Sequence, residues 1–174
     1  MKKLTNLLAI SGLWLAVVGC SSMRMPFQSS SPSAVTTDDS IQENLAAKLS
    51  NQDNFPKSNI YVDAFRGTVL LTGQVQDQPQ KDFMLNVTRG YPGVTKIYDF
   101  TEIRLPVSYS VRSNDSFVTS NVKAQLLGTN GIPSNNIKVE TTNGIVYMLG
   151  SVTKEQGESA AQMTALVGGV QKVI

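Results

Sequence analysis

The chain contains no histidine and only one cysteine. Without an imidazole, Ser-His-Asp and Cys-His nucleophilic catalysis and every histidine-ligated metal site are excluded. A single thiol excludes an intramolecular disulfide. The sequence also lacks G-x-S-x-G, a glycine-rich loop ending in Gly-Lys-Ser/Thr, and G-x-G-x-x-G, so the motifs of common hydrolases, nucleotide-binding proteins and dehydrogenases are missing. Charge is sparse as well, at 16% of 174 residues, with no single-sign block. Fifteen basic residues fall to 13 once Lys2 and Lys3, read below as part of a removed segment, are set aside, against 13 acidic ones. Nucleic-acid binding draws most of its affinity from Lys and Arg contacts to phosphate, and a neutral chain is not expected to bind DNA or RNA. No enzymatic activity, catalytic residue, metal or cofactor is expected.

What is present begins at the N-terminus. Met1-Lys2-Lys3 supplies a positive start, and Leu4 to Val18 is an uncharged, mostly apolar run. Its 15 residues are fewer than the roughly 20 a spanning helix needs, and no basic stop-transfer cluster follows. It reads as a cleaved signal peptide, residues 1–19. The sequence Val17-Val18-Gly19-Cys20 resembles a bacterial lipobox, in which the thiol is acylated and the chain is cut before it. Cys20 is therefore the expected lipidation site. An ordinary signal peptide ending beside a buried free thiol is the alternative. Two or three acyl chains would hold the protein on a membrane, where one alone binds marginally. Ser21 and Ser22 follow the cysteine, and by resemblance to Gram-negative lipoproteins the absence of Asp there implies the outer membrane, with the folded part facing the periplasm. Residues 20–37 have the Ser/Pro composition of a flexible tether, which keeps its cargo about 20–25 Å from the bilayer by square-root scaling.

The remainder repeats with an offset of 77. Asp38, Ile41, Leu45 and Leu49 match Asp115, Val118, Val122 and Leu126. Ile60, Val62, Gly67, Val69, Leu71, Gly73 and Val75 match Ile137, Val139, Gly144, Val146, Met148, Gly150 and Val152. Each copy predicts an amphipathic helix, with Asp38 or Asp115 as its N-cap. A hairpin follows, turning at Arg66-Gly67 or Asn143-Gly144. Next come a second helix (Gln78 to Arg89, Glu155 to Val167) and a last strand after Gly93 or Gly169. The expected fold is α+β: two tandem small αββαβ two-layer domains, at 38–105 and 115–174, joined by a linker at 106–114. Domain one's last strand runs from Val94 to Ile103, whereas its counterpart stops at Val173-Ile174. A shortened strand, pairing supplied by a partner, or truncation would each account for that.

The helix-hairpin-helix-strand order, the G-x-V-x-L-x-G of Gly67 to Gly73 and its echo at Gly144 to Gly150, and the Gly-Val-x-x-Ile/Val endings at Gly93 and Gly169 resemble the BON-domain family. Two such domains behind a lipobox strengthen the likeness. The resemblance implies binding of membrane phospholipid, anionic by preference, through the first helix of the second domain. It also implies a role in envelope integrity and at division sites. In that family the Phe117 position is often Trp and the Asn121 position often basic.

The residues supply their own clue to such a face. Opposite the buried stripe, the first helix of copy one carries Ser40, Glu43, Asn44, Ala47 and Ser50, while copy two carries Phe117, Ser120, Asn121, Ala124 and Leu127. Phe117 stands for Ser40, Leu127 for Ser50 and Ser120 for Glu43. The expected lipid-binding set is therefore Phe117, Ser120, Asn121, Lys123, Ala124 and Leu127, with Lys123 or Arg112 meeting an anionic surface. Two alternatives remain: packing of Phe117 and Leu127 against domain one or the linker, and a periplasmic adaptor that docks an envelope protein on the same face. Asp77 is read as a helix cap rather than a catalytic acid. Glu155 and Glu158 are read as first-turn acids favoured by the helix dipole. Tyr91, Tyr98 and Tyr109 are expected near an interdomain contact.

Overall fold

The computed structural model describes residues 37–174. The first repeat is α1 (Asp38–Leu49), β1 (Asn59–Phe65), β2 (Thr68–Val75), α2 (Gln78–Arg89), β3 (Lys96–Asp99) and β4 (Glu102–Ile103). The second is α3 (Tyr109–Gly128), a 3-10 turn (Ser134–Asn136), β5 (Ile137–Thr142), β6 (Ile145–Gly150), α4 (Lys154–Ala165) and β7 (Lys172–Val173). The α+β class and the doubled αββαβ order are as expected. In each copy the second strand is central, antiparallel to the first and parallel to the last. Both hairpins turn on two residues of positive φ, Arg66 (50°) with Gly67 (71°) and Asn143 (52°) with Gly144 (75°). That backbone twist matches the twist of the flanking strands.

Each helix pair covers one face of its sheet. In copy one, Ile41, Leu45 and Leu49 of α1 and Met84 of α2 meet Val62, Ala64, Val69, Leu71 and Val75. In copy two, Val118, Val122 and Leu126 of α3 and Ala160 of α4 meet Val139 and Val146. A fully buried side chain of this kind is worth about 1.5–3 kcal/mol, so these two clusters supply the main stabilisation of each unit.

Asp38 and Asp115 are not N-caps. The α1 cap is Thr37, which accepts from the Ser40 amide, and α3 begins at Tyr109 with Ser108 as its cap. Each carboxylate instead reaches across to the hairpin tip of its own copy. Asp38 accepts from the Arg66 and Gly67 amides, and Asp115 from those of Asn143 and Gly144 at 2.8 and 2.9 Å. A tight turn leaves amides pointing outward, and an ionised acceptor satisfies two of them at once. Residues 109–114, expected within the linker, are the first turns of α3.

The last strand of domain one is broken rather than continuous from Val94. Asp99 accepts from both the amide and the hydroxyl of Thr101, at 2.9 and 2.6 Å, and pairs with Lys81 at 3.0 Å. This local turn interrupts the ladder between β3 and β4, both of which pair with β2. Asp77 caps α2 by accepting from the Gln80 amide at 2.9 Å. Thr153 and Gln156 form a capping box on α4, where Glu155 sits in the first turn. Glu158 lies one turn further on, 3.8 Å from Lys154.

The faces turned away from the helices pack on each other. Along β2 the residues of both faces are buried: Val69, Leu71 and Val75 toward the helices, Leu70, Thr72 and Gln74 on the other side. From copy two, the Thr142 hydroxyl donates to that of Thr72 at 3.2 Å, and the Tyr147 ring lies 5.1 Å from that of Phe100. Lys138 reaches Asp39 at 3.5 Å, and Arg66 donates to Ser151 at 3.1 Å. Of the three tyrosines expected at an interdomain contact, Tyr98 lies beside this seam, lining a cleft of about 250 Å³ with Leu70, Phe100 and Tyr147. Tyr91 packs on the core of domain one, and Tyr109 is 77% exposed.

Candidate functional site

Helix α3 is 20 residues long where α1 has 12. The extra turns come from the N-terminal side. Ser108 accepts from the Val111 amide, and Arg112 folds back to donate to the Val107 carbonyl at 2.7 Å. Val107 itself is buried, which fixes the helix start against domain one.

The buried stripe of α3 is Asp115, Val118, Val122 and Leu126. On the outer face Phe117 is 64% exposed and Leu127 72% exposed. At these exposures neither side chain is enclosed by domain one or by the segment 106–114. Ser120 and Ala124 are exposed between them, Asn121 is half-buried and Lys123 is exposed on the flank. These are the positions expected from the sequence, and the fold leaves the two large apolar ones uncovered among the described residues.

Tyr109 was missed as part of this face. It precedes Leu127 by 18 residues, about five full turns and 27 Å along the axis, so the two project in the same direction. The signal lay in Ser108 as a cap, which would have moved the helix start back over residues read as linker. The outer serines are quieter than their composition suggests. Ser116 donates to the Arg112 carbonyl and Ser120 to the Ser116 carbonyl, both at 3.0 Å. A hydroxyl bonded to the preceding turn keeps no free donor, which lowers the cost of placing it against an apolar medium.

Of the cations nearest the face, Arg112 has other partners. The Arg112 guanidinium lies 5.9 Å from the Tyr109 ring centre besides holding Val107. Lys123 lines a cleft of about 240 Å³ with Leu126, Leu127, Ser134, Asn135, Ile137 and Val139. Its charge also acts on two carboxyls at the seam, Asp63 and Glu140, lowering the pKa of each. Burial nevertheless holds Asp63 above the ordinary carboxylate value. Burial, with Asp63 beside it, pushes Glu140 up to about 7. Sequence reading did not single out this pair; the signal was an acidic residue in the middle of a strand at the same position of both copies.

Cys20, the expected lipidation site, lies outside the described residues, as do the signal and tether segments. No helix among the described residues is long and apolar enough to cross a membrane.

Comparison with known proteins agrees with the duplicated architecture. The BON domain family model matches residues 37–104 and again 114–174. The osmotically-inducible protein Y of Escherichia coli is 34% identical over 139 residues, 78% of this chain and 69% of that protein. The 21 kDa hemolysin of Actinobacillus pleuropneumoniae is 32% identical over 138 residues, 79% of this chain and 71% of that protein. The outer membrane lipoprotein DolP of Haemophilus influenzae is 33% identical over 111 residues, 64% of this chain. The match spans only 58% of DolP. With two family matches covering most of its length and folding as two αββαβ units, the chain belongs to the BON-domain family.

Proposed function

We propose that this protein is a lipid-anchored, non-catalytic component of the bacterial outer membrane, facing the periplasm and docking on phospholipid through the outer face of α3. One observation carries the reading. Two copies of one unit present the same helix, and the second alone has an exposed apolar face, with Phe117 and Leu127 where the first has Ser40 and Ser50. Similarity to an outer membrane lipoprotein and the lipobox ending in Cys20 support the location. A role in envelope integrity, including at division sites, rests on the family resemblance.

The energetics suit a tethered protein. Complete insertion of one large apolar side chain supplies ~1.5–3 kcal/mol, and a basic residue near an anionic surface adds about 1 kcal/mol. Two or three such residues bind weakly from free solution. An acyl anchor raises the local concentration of the helix at the bilayer, and weak contacts then suffice. Lys123 supplies the anionic preference.

The test is co-sedimentation with anionic and zwitterionic vesicles, using the chain from residue 20 onward with Cys20→Ala so that no anchor contributes. Binding to anionic vesicles that Phe117→Glu abolishes is the expected result. A folded protein that ignores both vesicle types would remove lipid docking and leave the adaptor reading, in which the same face meets an envelope protein.

A further inference from the structure

The tetrapeptide Thr-Asn-Gly-Ile occurs twice in the second domain, at residues 129–132 and again at 142–145. An asparagine followed by glycine carries the means of its own conversion. The glycine nitrogen, once it loses its proton to base, attacks the asparagine Cγ. The N–Cγ bond forms, the Cγ–Nδ2 bond breaks and ammonia leaves. Water then opens the resulting five-membered imide at either carbonyl, giving aspartate or isoaspartate. The attack needs a residue without a side chain to crowd it, and a nitrogen that is free. Since both sites have the same local sequence, they start from the same chemistry, and the fold separates them.

The second occurrence is locked. Asn143 and Gly144 form the turn between β5 and β6, and their amides donate to the Asp115 carboxylate at 2.8 and 2.9 Å. The Gly144 carbonyl accepts from the Gln171 amide at 2.8 Å, and Gly144 is buried. A nitrogen whose proton is held by an ionised acceptor is a poor nucleophile, because removing that proton sets a negative nitrogen against a carboxylate. The first occurrence has no such restraint. Asn130 and Gly131 lie in the exposed turn that follows α3, and among the described residues the Gly131 N–H has no acceptor. Gly131 has a φ of +84°, and a Cβ placed on it would meet nothing within 4 Å, which leaves room for the imide ring.

We infer that Asn130 is a site of spontaneous conversion to aspartate and isoaspartate in the folded protein, and that Asp115 shields Asn143 from the same reaction. Each conversion adds a negative charge three residues beyond Leu127. The last turn of α3 has no basic residue to offset it, and the helix dipole disfavours an anion at that end. On the reading that α3 docks on anionic phospholipid, the new carboxylate opposes docking, and the helix face loses its hold as the molecule ages.

The test incubates the chain from residue 20 onward, with Cys20→Ala, at pH 8.5 in buffer and in urea concentrated enough to unfold it. Trypsin separates the two sites by cutting after Lys138, so that residues 124–138 carry Asn130 and residues 139–154 carry Asn143. Tandem mass spectrometry then follows the converted fraction at each asparagine. In buffer Asn130 should convert faster than Asn143 by about tenfold or more, the factor that one hydrogen bond to a charged group is worth. In urea the two rates should converge. Asp115→Ala, where circular dichroism shows it folded, should speed conversion at Asn143 and leave Asn130 unchanged; where it is unfolded, the comparison of buffer with urea decides. An Asn130 that stays intact in buffer, or similar rates at the two sites there, would overturn the inference. So would an Asn143 that stays slow in urea or in folded Asp115→Ala. Asn130→Asp should weaken binding to anionic vesicles about fivefold, the effect of one unit charge near such a surface, and equal binding would overturn the docking consequence. A wild-type protein that ignores the vesicles removes that consequence together with the docking reading, whereas the peptide masses decide the conversion on their own.

Discussion

The carboxylate of Asp115 holds the amide of Gly144 at 2.9 Å, tying the middle of a helix to the tip of a hairpin 29 residues away. Asp38 does the same for Gly67. In both copies this contact fixes where the hairpin ends relative to the helix, and so sets the register of the whole layer. Asp115 is 5% exposed. Removing its acceptor leaves two turn amides, those of Asn143 and Gly144, without a partner. Asp115→Ala should therefore cost about 2–3 kcal/mol, the upper range for unpaired polar groups with a charged partner lost, while Asp115→Asn keeps one acceptor and should cost less. Urea denaturation of the three proteins measures both.

The two strand glycines make a sharper prediction. A Cβ on Gly73, where φ is +106°, would run into the Asn59 carbonyl oxygen, and one on Gly150 into that of Asn136. Both obstacles are backbone, Asn59 at the start of β1 and Asn136 at the end of the 3-10 turn that leads into β5, and neither can move without disturbing the ladder. At Gly144 the nearest atoms belong to the Gln171 side chain, which can swing aside. Gly73→Ala should lower the melting temperature more than Gly144→Ala, even though both positions carry positive φ.

Making α3 resemble α1 separates docking from folding. Phe117→Ser with Leu127→Ser reproduces the residues found at the matching places of copy one. Both side chains are largely exposed, so the double variant should unfold within about 0.5 kcal/mol of the wild type, as surface substitutions do. Vesicle binding should fall to background. Tyr109→Ser should weaken binding by a smaller factor, since that residue extends the same face from its far end. Parallel sedimentation and thermal melts report both quantities.

Stability should also depend on pH. Glu140 has its carboxyl pushed up to about 7 in the folded protein, above its value near 4.5 in an unfolded chain. Between those values the folded state keeps a proton that the unfolded state has released, so stability declines as pH rises. The melting temperature should therefore increase from pH 8 to pH 5.5. Glu140→Gln should flatten that slope and melt higher than the wild type at pH 8.

Much of this architecture is legible in the residues. The repeat announces itself through apolar periodicity and glycine spacing, and Asn143-Gly144 states its turn type outright. Asp38 and Asp115 were misread because an acid just before an apolar run has a local meaning, as a cap, and a tertiary one, as a turn anchor. Only the fold decides between them. The start of α3 was missed for a related reason: copy one begins at Thr37, and alignment of the copies hid a helix that copy two extends. The seam was harder to foresee, although Val69-Leu70-Leu71 gave a hint. An unbroken apolar run within an otherwise alternating strand marks burial on both faces, but nothing in it names what covers the second face. The outer face of α3 was found by comparing one copy with the other, a control that a single-domain sequence would not have offered.

That doubly covered β2 strand has a consequence for how the molecule comes apart. Leu70, Thr72 and Gln74 belong to the interior of the pair as fully as Val69 and Leu71 belong to the interior of domain one. Peeling the copies apart exposes the central strand of the first, the element that carries the rest of its sheet. The duplicated halves are thus asymmetric in dependence. Unfolding should proceed with domain one losing its amide protection soon after the partner departs, and within domain one the slowest-exchanging amides should lie along β2, where both layers must be lost before solvent arrives.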